Sequence, residues 1–268
     1  MKTFEYHRPT SPADAVALLA ASEDAKPIAG GMTLLPTMKM RLNQPEALVD
    51  LSAIPGLAGI SVENGVVTVG AMTRHADVAA SAEVKAAIPA LAALAGGIGD
   101  PQVRHRGTIG GSIANADPAA DYPAAVLGLG ATVVTDRREI PGGSFFEGLF
   151  TTALAPDEIV TAVRFPIPDM AAYAKFKNPA SRFAIVGVMV SKTGGNVTVA
   201  VTGAGPSAFR SPEVEEALSA NFAPEALAAV SVDPAGLNSD IHADAEYRAH
   251  LIVAMARRAV AAALGGAA

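Results

Sequence analysis

Two glycine-bearing segments constrain the fold of this chain more than any other feature of its sequence. The first is AGGMTL at 29–34 and the second is GTIGGS at 107–112. Glycine lacks the Cβ atom that would block close approach of the backbone, and it readily adopts positive φ. Hydroxyl side chains are interleaved with the glycines in both segments. The sequence therefore predicts two loops that grip a large phosphorylated ligand from two sides.

The first segment joins a predicted strand to a predicted helix. Lys26–Ala29 has the pattern of a short strand, and Thr33 begins a helix over Leu34–Arg41. Successive N–H groups in such a turn converge into a nest for an anion, and the helix dipole favours a phosphate at the same place. The absence of G-x-G-x-x-G and G-K-[ST] patterns counts against an NAD-binding Rossmann fold and a nucleoside triphosphatase. A single Gly-Gly pair is more often a structural turn, so that alternative stays open for this segment alone.

The second segment adds hydroxyl and carboxylate groups. We predict loop and extended chain over Gly107–Ala114, with Thr108 and Ser112 on either side of the paired glycines. A carboxylate beside a phosphate would be repelled, so Asp121 better suits a ribityl or ribose hydroxyl, or a flavin ring N–H. The alternative is capping of the following helix, because Asp is a preferred N-cap. Capping is favoured for Asp117 and left open for Asp121.

Other polar residues carry weaker signals. Arg104 and Arg106 have the charge to neutralise a diphosphate, but we predict that they are solvated on a loop. The five histidines show no metal-ligand spacing, and isolated residues such as His75 and His105 are more often structural than catalytic. We therefore assign no catalytic residue and no metal ligand.

Composition excludes several classes of function. Half of the 268 residues are hydrophobic and the formal net charge is -6, so we expect a packed core and no nucleic-acid partner. The absence of cysteine excludes thiolate-bound iron–sulfur clusters and disulfides within the chain. No apolar run is long enough to span a membrane and no signal peptide is evident. We therefore expect a cytoplasmic protein without a transmembrane segment.

Residues 1–168 form one predicted domain with two subdomains, 1–55 and 56–168. Alternating strand and helix patterns make the first subdomain a βαβαβ unit. The second begins with a hairpin that turns at Asn64-Gly65. It continues with a helix over Arg74–Ser81, capped by Thr73, and a helix over Glu83–Gly96.

A C-terminal domain is predicted over 171–268, beyond the boundary at Pro166-Ile167-Pro168. Three antiparallel strands come first, and helices follow them to the end of the chain. Strands followed by helices are typical of an α+β domain. The predicted strands are Tyr173–Lys177, Ala184–Lys192 and Asn196–Gly203, and the predicted helices are Pro212–Ser219, Pro224–Val230 and Ala243–Leu264.

Three stretches together resemble one protein family. They are AGGMTL at 29–34, GAMTRH at 70–75, and R-x-x-G-T-I-G-G-S-I-x-x-A-D-P-x-x-D at 104–121; YAKF at 173–176, PASRFA at 179–184 and the ending 250–264 extend the likeness. Over almost its whole length the chain is similar to the FAD-binding subunit of the molybdenum hydroxylases. This family includes the medium chain of aerobic carbon monoxide dehydrogenase and the flavin domain of xanthine dehydrogenase.

The resemblance implies an α+β fold, with a two-part FAD-binding domain of the vanillyl-alcohol-oxidase (PCMH) type before a smaller C-terminal α+β domain. It implies that 29–34 and 108–112 embrace the FAD diphosphate, that Asp121 contacts the flavin part and that Ile98 lines the isoalloxazine. Ile185 falls where some members carry a lysine near the flavin, and Ser112 keeps a hydroxyl where many members have Asn. The implied FAD-binding residues are Ala29, Gly30, Gly31, Met32, Thr33, Leu34, Ile98, Thr108, Ile109, Gly110, Gly111, Ser112, Asp121 and Ile185.

The resemblance also implies a role as an electron-transfer subunit, an oxidoreductase component that is incomplete on its own. In relatives a small subunit holds two iron–sulfur (2Fe-2S) clusters and a large subunit holds molybdopterin, so we expect a dimer of heterotrimers. FAD would receive electrons from the nearer cluster and pass them to a terminal acceptor. Two alternatives stay open: a self-sufficient FAD-dependent oxidase or dehydrogenase, and a non-enzymatic interaction protein with Ala-rich docking helices. The substrate and the terminal acceptor stay open as well.

Overall fold

The N-terminal part of the chain is a small parallel α/β unit. The structure, a computed structural model, describes residues 1–265, so the end of the predicted C-terminal domain, 266–268, lies outside the described residues. The central strand β3 pairs in parallel with both neighbours, as the predicted βαβαβ unit requires. Ser11 caps the first helix by accepting a hydrogen bond from the backbone N–H of Asp14 at 3.1 Å. The elements are β1 (Glu5–His7), α1 (Pro12–Ala20), β2 (Ala25–Ile28), α2 (Leu34–Lys39) and β3 (Ala47–Asp50).

The middle of the chain is a five-stranded antiparallel sheet covered by short helices. Its strand order is β4-β5-β10-β6-β7, and the predicted hairpin forms its edge, with Asn64 and Gly65 at positive φ in the turn. The strands, with the β8–β9 hairpin beside them, are β4 (Ile60–Glu63), β5 (Val66–Gly70), β6 (Thr132–Thr135), β7 (Glu139–Pro141), β8 (Phe146–Gly148), β9 (Thr151–Thr152) and β10 (Val160–Pro166). The helices are α3 (His75–Ala80), α4 (Ala82–Ala87), α5 (Pro89–Gly96), α6 (Pro101–Arg106), α7 (Ile109–Asn115) and α8 (Tyr122–Gly128).

Several predictions of local structure in this region are wrong. Residues predicted as loop and extended chain form α7, and the arginines predicted on a loop lie on α6. The predicted helix Glu83–Gly96 is two helices, because Pro89 cannot donate a backbone hydrogen bond and starts a new one. Thr73 caps no helix; its hydroxyl instead bonds the backbone of Gly59 at 3.0 Å.

The C-terminal sheet is antiparallel, with strand order β11-β12-β13-β14. A long helix packs across β11 and β12 and closes a second hydrophobic core. The Gly194-Gly195 turn lies at positive φ, as a tight hairpin requires, and the predicted helix Pro224–Val230 is reduced to a 3-10 turn at Pro224–Leu227. The elements are β11 (Met170–Lys177), β12 (Ala184–Thr193), β13 (Asn196–Thr202), β14 (Phe209–Arg210), α9 (Pro212–Ala220) and α10 (Ala245–Ala263).

Helix α8 joins the middle sheet to the C-terminal sheet. Gly128 near its end packs so closely on β12 that an added Cβ would lie 2.6 Å from the Met189 side chain. The hydroxyl of Ser191, also on β12, donates to the Gly128 carbonyl at 2.5 Å. Met189 therefore belongs to the core of the middle sheet, and the two units share one buried junction.

Candidate functional site

A cleft of about 660 Å³ lies where the N-terminal unit, the middle sheet and the β11–β12 loop meet. Both glycine-bearing segments contribute to its lining, and so do most of the residues between Thr152 and Val160 and the segment 180–183. Most of the predicted site residues line this cleft: Ala29, Gly30, Gly31, Met32, Thr33, Leu34, Ile98, Thr108, Gly110, Gly111, Ser112 and Asp121. Ile109 is instead wholly buried in the core, and Ile185 lines an adjoining cavity of about 300 Å³ that shares Asp117, Ser181 and Phe183 with the cleft.

The two glycine-bearing segments pack directly against each other. A Cβ on Gly30 would lie 2.0 Å from the Arg106 carbonyl oxygen, which no real structure tolerates. A Cβ on Gly110 would likewise lie 2.5 Å from the Cβ of Ala71. Close packing, and not positive φ, therefore requires glycine at both positions. Positive φ occurs in these segments at Gly31, whose φ is 71°.

The first segment lines the cleft with residues whose backbone donors are unpaired. Among residues 1–265, no acceptor is found for the N–H groups of Gly30, Gly31, Met32 and Thr33. Consecutive free N–H groups around a glycine at positive φ make a concavity that binds anions. This is the feature of the cleft that best fits a diphosphate.

The second segment is different, because its first backbone donors are already used. The N–H groups of Ile109 and Gly110 donate to the carbonyls of Thr73 (3.1 Å) and Ala71 (2.8 Å). Thr108 is the N-cap of α7, and its hydroxyl accepts from Gly111 N at 3.1 Å. This side of the cleft therefore contributes a helix N-terminus and hydroxyl groups rather than a row of free amides.

Asp121 is buried in the cleft wall and bound from the C-terminal sheet. The Tyr173 hydroxyl donates to it at 2.5 Å, and the Lys175 ammonium lies 2.9 Å from the same carboxylate. Burial raises the pKa of Asp121, and Lys175 and Tyr173 oppose that rise. Lys175 also donates to the Gly97 carbonyl at 3.0 Å, next to Ile98.

Neither aspartate caps α8. Asp121 stands at the N-cap position but its side chain bonds no helix N–H, and Asp117 closes a turn by accepting from Ala119 N at 2.9 Å. Capping, which was favoured for Asp117, is therefore wrong. Tyr173 and Lys175 lie in the predicted strand and in the stretch YAKF that extends the family likeness, but neither was predicted as a site residue; their spacing places both on one face of β11.

Glu158 also lines the cleft, and a network of hydrogen bonds holds it. Arg138 binds it with two hydrogen bonds of 2.9 Å, and the Thr135 hydroxyl donates at 2.8 Å. The Arg138 hydrogen bond lowers the pKa of Glu158 to about 2 against the effect of its burial. Ala155 N also donates to Glu158, at 3.0 Å, so this network fixes the loop that lines the cleft. No local pattern predicts this network, because Arg138 follows β6, Glu158 precedes β10, and the two lie 20 residues apart in the sequence.

His75 lies beneath the second segment as a neutral ring. Burial, aided by the charge of Arg104, lowers the pKa of His75 to about 4. The His75 ring packs against Gly107, and its centroid lies 5.3 Å from that of the Tyr122 ring. Arg104 donates to the carbonyls of Ile98 (2.9 Å) and Gly99 (3.1 Å), so it closes the turn between α5 and α6. Across residues 1–265 no cluster of three potential metal ligands occurs, and no described helix is long and apolar enough to cross a membrane.

Comparison with known families decides the identity of the fold. Residues 2–168 match the FAD binding domain in molybdopterin dehydrogenase, and residues 171–263 match the CO dehydrogenase flavoprotein C-terminal domain. The chain belongs to this family. The resemblance and the α+β fold inferred from the sequence are thereby confirmed, and FAD is the cofactor.

Relatives in the family match almost end to end. The chain is 39% identical to the carbon monoxide dehydrogenase medium chain of Hydrogenophaga pseudoflava, covering 97% of this chain and 96% of the relative. It is 36% identical to the nicotine 6-hydroxylase medium subunit of Paenarthrobacter nicotinovorans, covering 97% of each. The solved carbon monoxide dehydrogenase of Hydrogenophaga pseudoflava superposes with a TM-score of 0.87 at 38% identity, over 99% of this chain and 98% of that one.

Family membership and geometry agree. The chain is a medium, FAD-carrying subunit of the molybdenum hydroxylase type, an oxidoreductase component that functions within a complex. The unpaired N–H groups of the first segment, the hydroxyls of the second and the cleft of about 660 Å³ that both segments line fit a dinucleotide with a central diphosphate.

Proposed function

We propose that the cleft holds FAD and that the chain relays electrons from a partner's iron–sulfur cluster to a terminal acceptor. The single observation that carries this proposal is the row of free N–H groups at 30–33 on the cleft wall. FAD, when bound, supplies the acceptance and release of electrons, and the protein supplies binding, orientation and electrostatics.

Each wall of the cleft has a separate task in this proposal. The amides of 30–33 hold the diphosphate, and the hydroxyls of Thr108 and Ser112 face it from α7. Ile98 and Asp121 bound the flavin end, where the buried Asp121 accepts from a polar group of the cofactor. No residue is assigned as an acid or base, because electron relay through FAD does not require an acid–base residue from this chain.

The partners follow from what the chain lacks and from how its relatives are described. The sequence contains no cysteine, so thiolate-bound clusters belong to another subunit. The relatives are named as medium chains or subunits. We propose an iron–sulfur small subunit and a molybdopterin large subunit, assembled as a cytoplasmic dimer of heterotrimers, with the chain divided into domains at 168–171.

The test is to purify the full chain alone and with the subunits that co-purify with it. We expect the denatured complex to release FAD. We expect a substrate to bleach the visible flavin absorption only when the partner subunits are present. Bleaching of the isolated chain by a substrate would instead show a self-sufficient dehydrogenase. A chain that takes up no FAD in either preparation would refute the cofactor site itself.

A further inference from the structure

The acidic segment, residues 117–121, connects α7 to α8 and forms part of the cleft wall. Asp117, Ala120 and Asp121 all line the cleft. Helix α7 ends at Asn115, and its C-cap residue Ala116 has a left-handed φ of 46° that turns the chain away from the helix axis. The position of Asp121 in the cleft is therefore set by whatever holds this short segment in place.

The C-terminal sheet holds the acidic segment along its length. The Thr202 hydroxyl donates to the Ala120 carbonyl at 2.6 Å and lies 2.9 Å from the Pro118 carbonyl. Backbone N–H groups from the same sheet add to these bonds: Gly203 N donates to Pro118 O at 2.7 Å, and Ala184 N donates to Ala119 O at 3.3 Å. Tyr173 binds the carboxylate of Asp121 itself.

Two features show that these contacts are built into the sheet. Thr202 is fully buried, and no other donor to the Ala120 carbonyl is found among residues 1–265. On β12, an added Cβ at Gly187 would lie 2.1 Å from the Tyr173 hydroxyl, so only glycine leaves room for that hydroxyl to reach Asp121. A buried carbonyl that loses its donor is costly, so Thr202 constrains the backbone immediately before Asp121.

We infer that Thr202 and Tyr173 are positioning residues for the cofactor site, through which the C-terminal sheet sets the placement of Asp121 and thereby the affinity for FAD. This inference rests on the proposed FAD site. Neither side chain lines the cleft, so both act through the acidic segment. The C-terminal sheet thus contributes to the binding site through two side chains that contact the acidic segment and do not themselves line the cleft.

The decisive experiment compares Thr202→Val with two matched variants. Thr202→Ser keeps the hydroxyl, and Ser191→Ala removes a buried hydroxyl-to-carbonyl bond across the same junction at the far end of α8. The dissociation constant for FAD is measured by fluorescence quenching, and the stability of the FAD-free protein by urea unfolding. Both measurements use the full chain, alone and with its co-purifying subunits.

We expect Thr202→Val to raise the dissociation constant for FAD about tenfold, the factor that corresponds to one lost buried hydrogen bond. Thr202→Ser restores wild-type affinity. Ser191→Ala lowers stability to a similar extent as Thr202→Val but leaves FAD affinity unchanged. A merely structural role would lower stability in both variants and move the affinity in neither.

Tyr173→Phe provides a second, independent variant, since it removes one hydroxyl and keeps the ring. We expect weaker FAD binding and a change in the bound flavin's absorption spectrum, because Asp121 loses a donor. Unchanged affinity in both Thr202→Val and Tyr173→Phe would overturn the inference while leaving the FAD site intact. A wild-type protein that binds no FAD would overturn the proposed function and this inference together.

Discussion

At Gly30 the missing side chain brings the two glycine-bearing segments together. We predict that Gly30→Ala separates them, because the new Cβ would sit 2.0 Å from the Arg106 carbonyl oxygen. Overpacking of this kind costs about 1–3 kcal/mol of unfolding free energy. Urea unfolding measures this loss, and FAD titration should show binding weakened at least tenfold.

Gly143→Ala is the matched control for that substitution. Gly143 is exposed, has no atoms within 4 Å of an added Cβ and does not have positive φ. We expect its stability and FAD affinity to match those of the wild type. Equal effects of the two substitutions would show that close approach of the segments is not what Gly30 provides.

Glu158 gives the cleft a defined response to acid. Its pKa is lowered to about 2 from an ordinary value of 4.5, chiefly by the Arg138 hydrogen bond. A depressed folded-state pKa gives stability that is present above about pH 4.5 and lost as the pH falls towards 2. We predict that Glu158→Gln lowers the unfolding free energy at pH 7 by about 2 kcal/mol, as expected for hydrogen bonds to a charged group.

The difference between Glu158→Gln and the wild type should narrow as urea unfolding is repeated from pH 5 down to pH 3. Glu139→Gln is the control, since Glu139 pairs with Arg164 but is more than half exposed, and exposed ion pairs contribute little. A pH-independent difference for Glu158→Gln would show that its charge does not support the wall.

At the scale of elements, local patterns predicted the strands of the N-terminal unit and the Asn64-Gly65 hairpin but not α7. Three parallel strands and the Asn64-Gly65 turn follow from short-range periodicity and turn chemistry, and the structure contains them. Two glycines within seven residues disfavour a helix by propensity. Packing overrides that preference, since Gly110 is the residue that lets α7 lie against Ala71.

The same limit applies to the site. The glycine-bearing segments were identifiable because their residues are adjacent in sequence, and most of them line the cleft. Tyr173, Lys175 and Glu158 were not, because each meets its partner across long stretches of chain and no spacing rule links them. The burial and ion pairing of these three residues arise only when the sheets pack together, so they cannot be predicted from sequence neighbours.

The N-cap of α7 allows a test of whether the hydroxyl of Thr108 supports both the start of the helix and FAD binding. Thr108→Ala removes the acceptor for Gly111 N and should cost about 1 kcal/mol of unfolding free energy, with weaker FAD binding. Thr108→Ser keeps the cap and should stay near the wild type in urea unfolding and FAD titration. If Thr108→Ala bound FAD normally, the start of α7 would not shape the diphosphate side of the cleft.

At the scale of the whole molecule, segments from the N-terminal unit, the middle of the chain and the C-terminal part all line the cleft, so cofactor binding should stabilise the molecule as one unit. The N-terminal unit supplies 26–34, the connection from β9 to β10 supplies most of its residues, and the C-terminal sheet holds the acidic segment through Thr202 and Tyr173. The middle and C-terminal sheets also share the junction at α8, where Met189 of β12 is buried in the core of the middle sheet. If the middle sheet or the C-terminal sheet unfolded alone, the buried residues of that junction would become exposed to water.

We therefore predict one cooperative thermal transition that moves upward when FAD is added. At a free FAD concentration of 100 times its dissociation constant the stabilisation is about 2.7 kcal/mol, which corresponds to a rise of roughly 5–10 °C for a chain of this size. Differential scanning calorimetry with and without FAD measures it, and riboflavin, which lacks the diphosphate, is the control ligand. Because we propose that the free amides at 30–33 bind the diphosphate, riboflavin should give little shift. Two transitions, with FAD raising just one of them, would show instead that the C-terminal sheet folds independently of the site it supports.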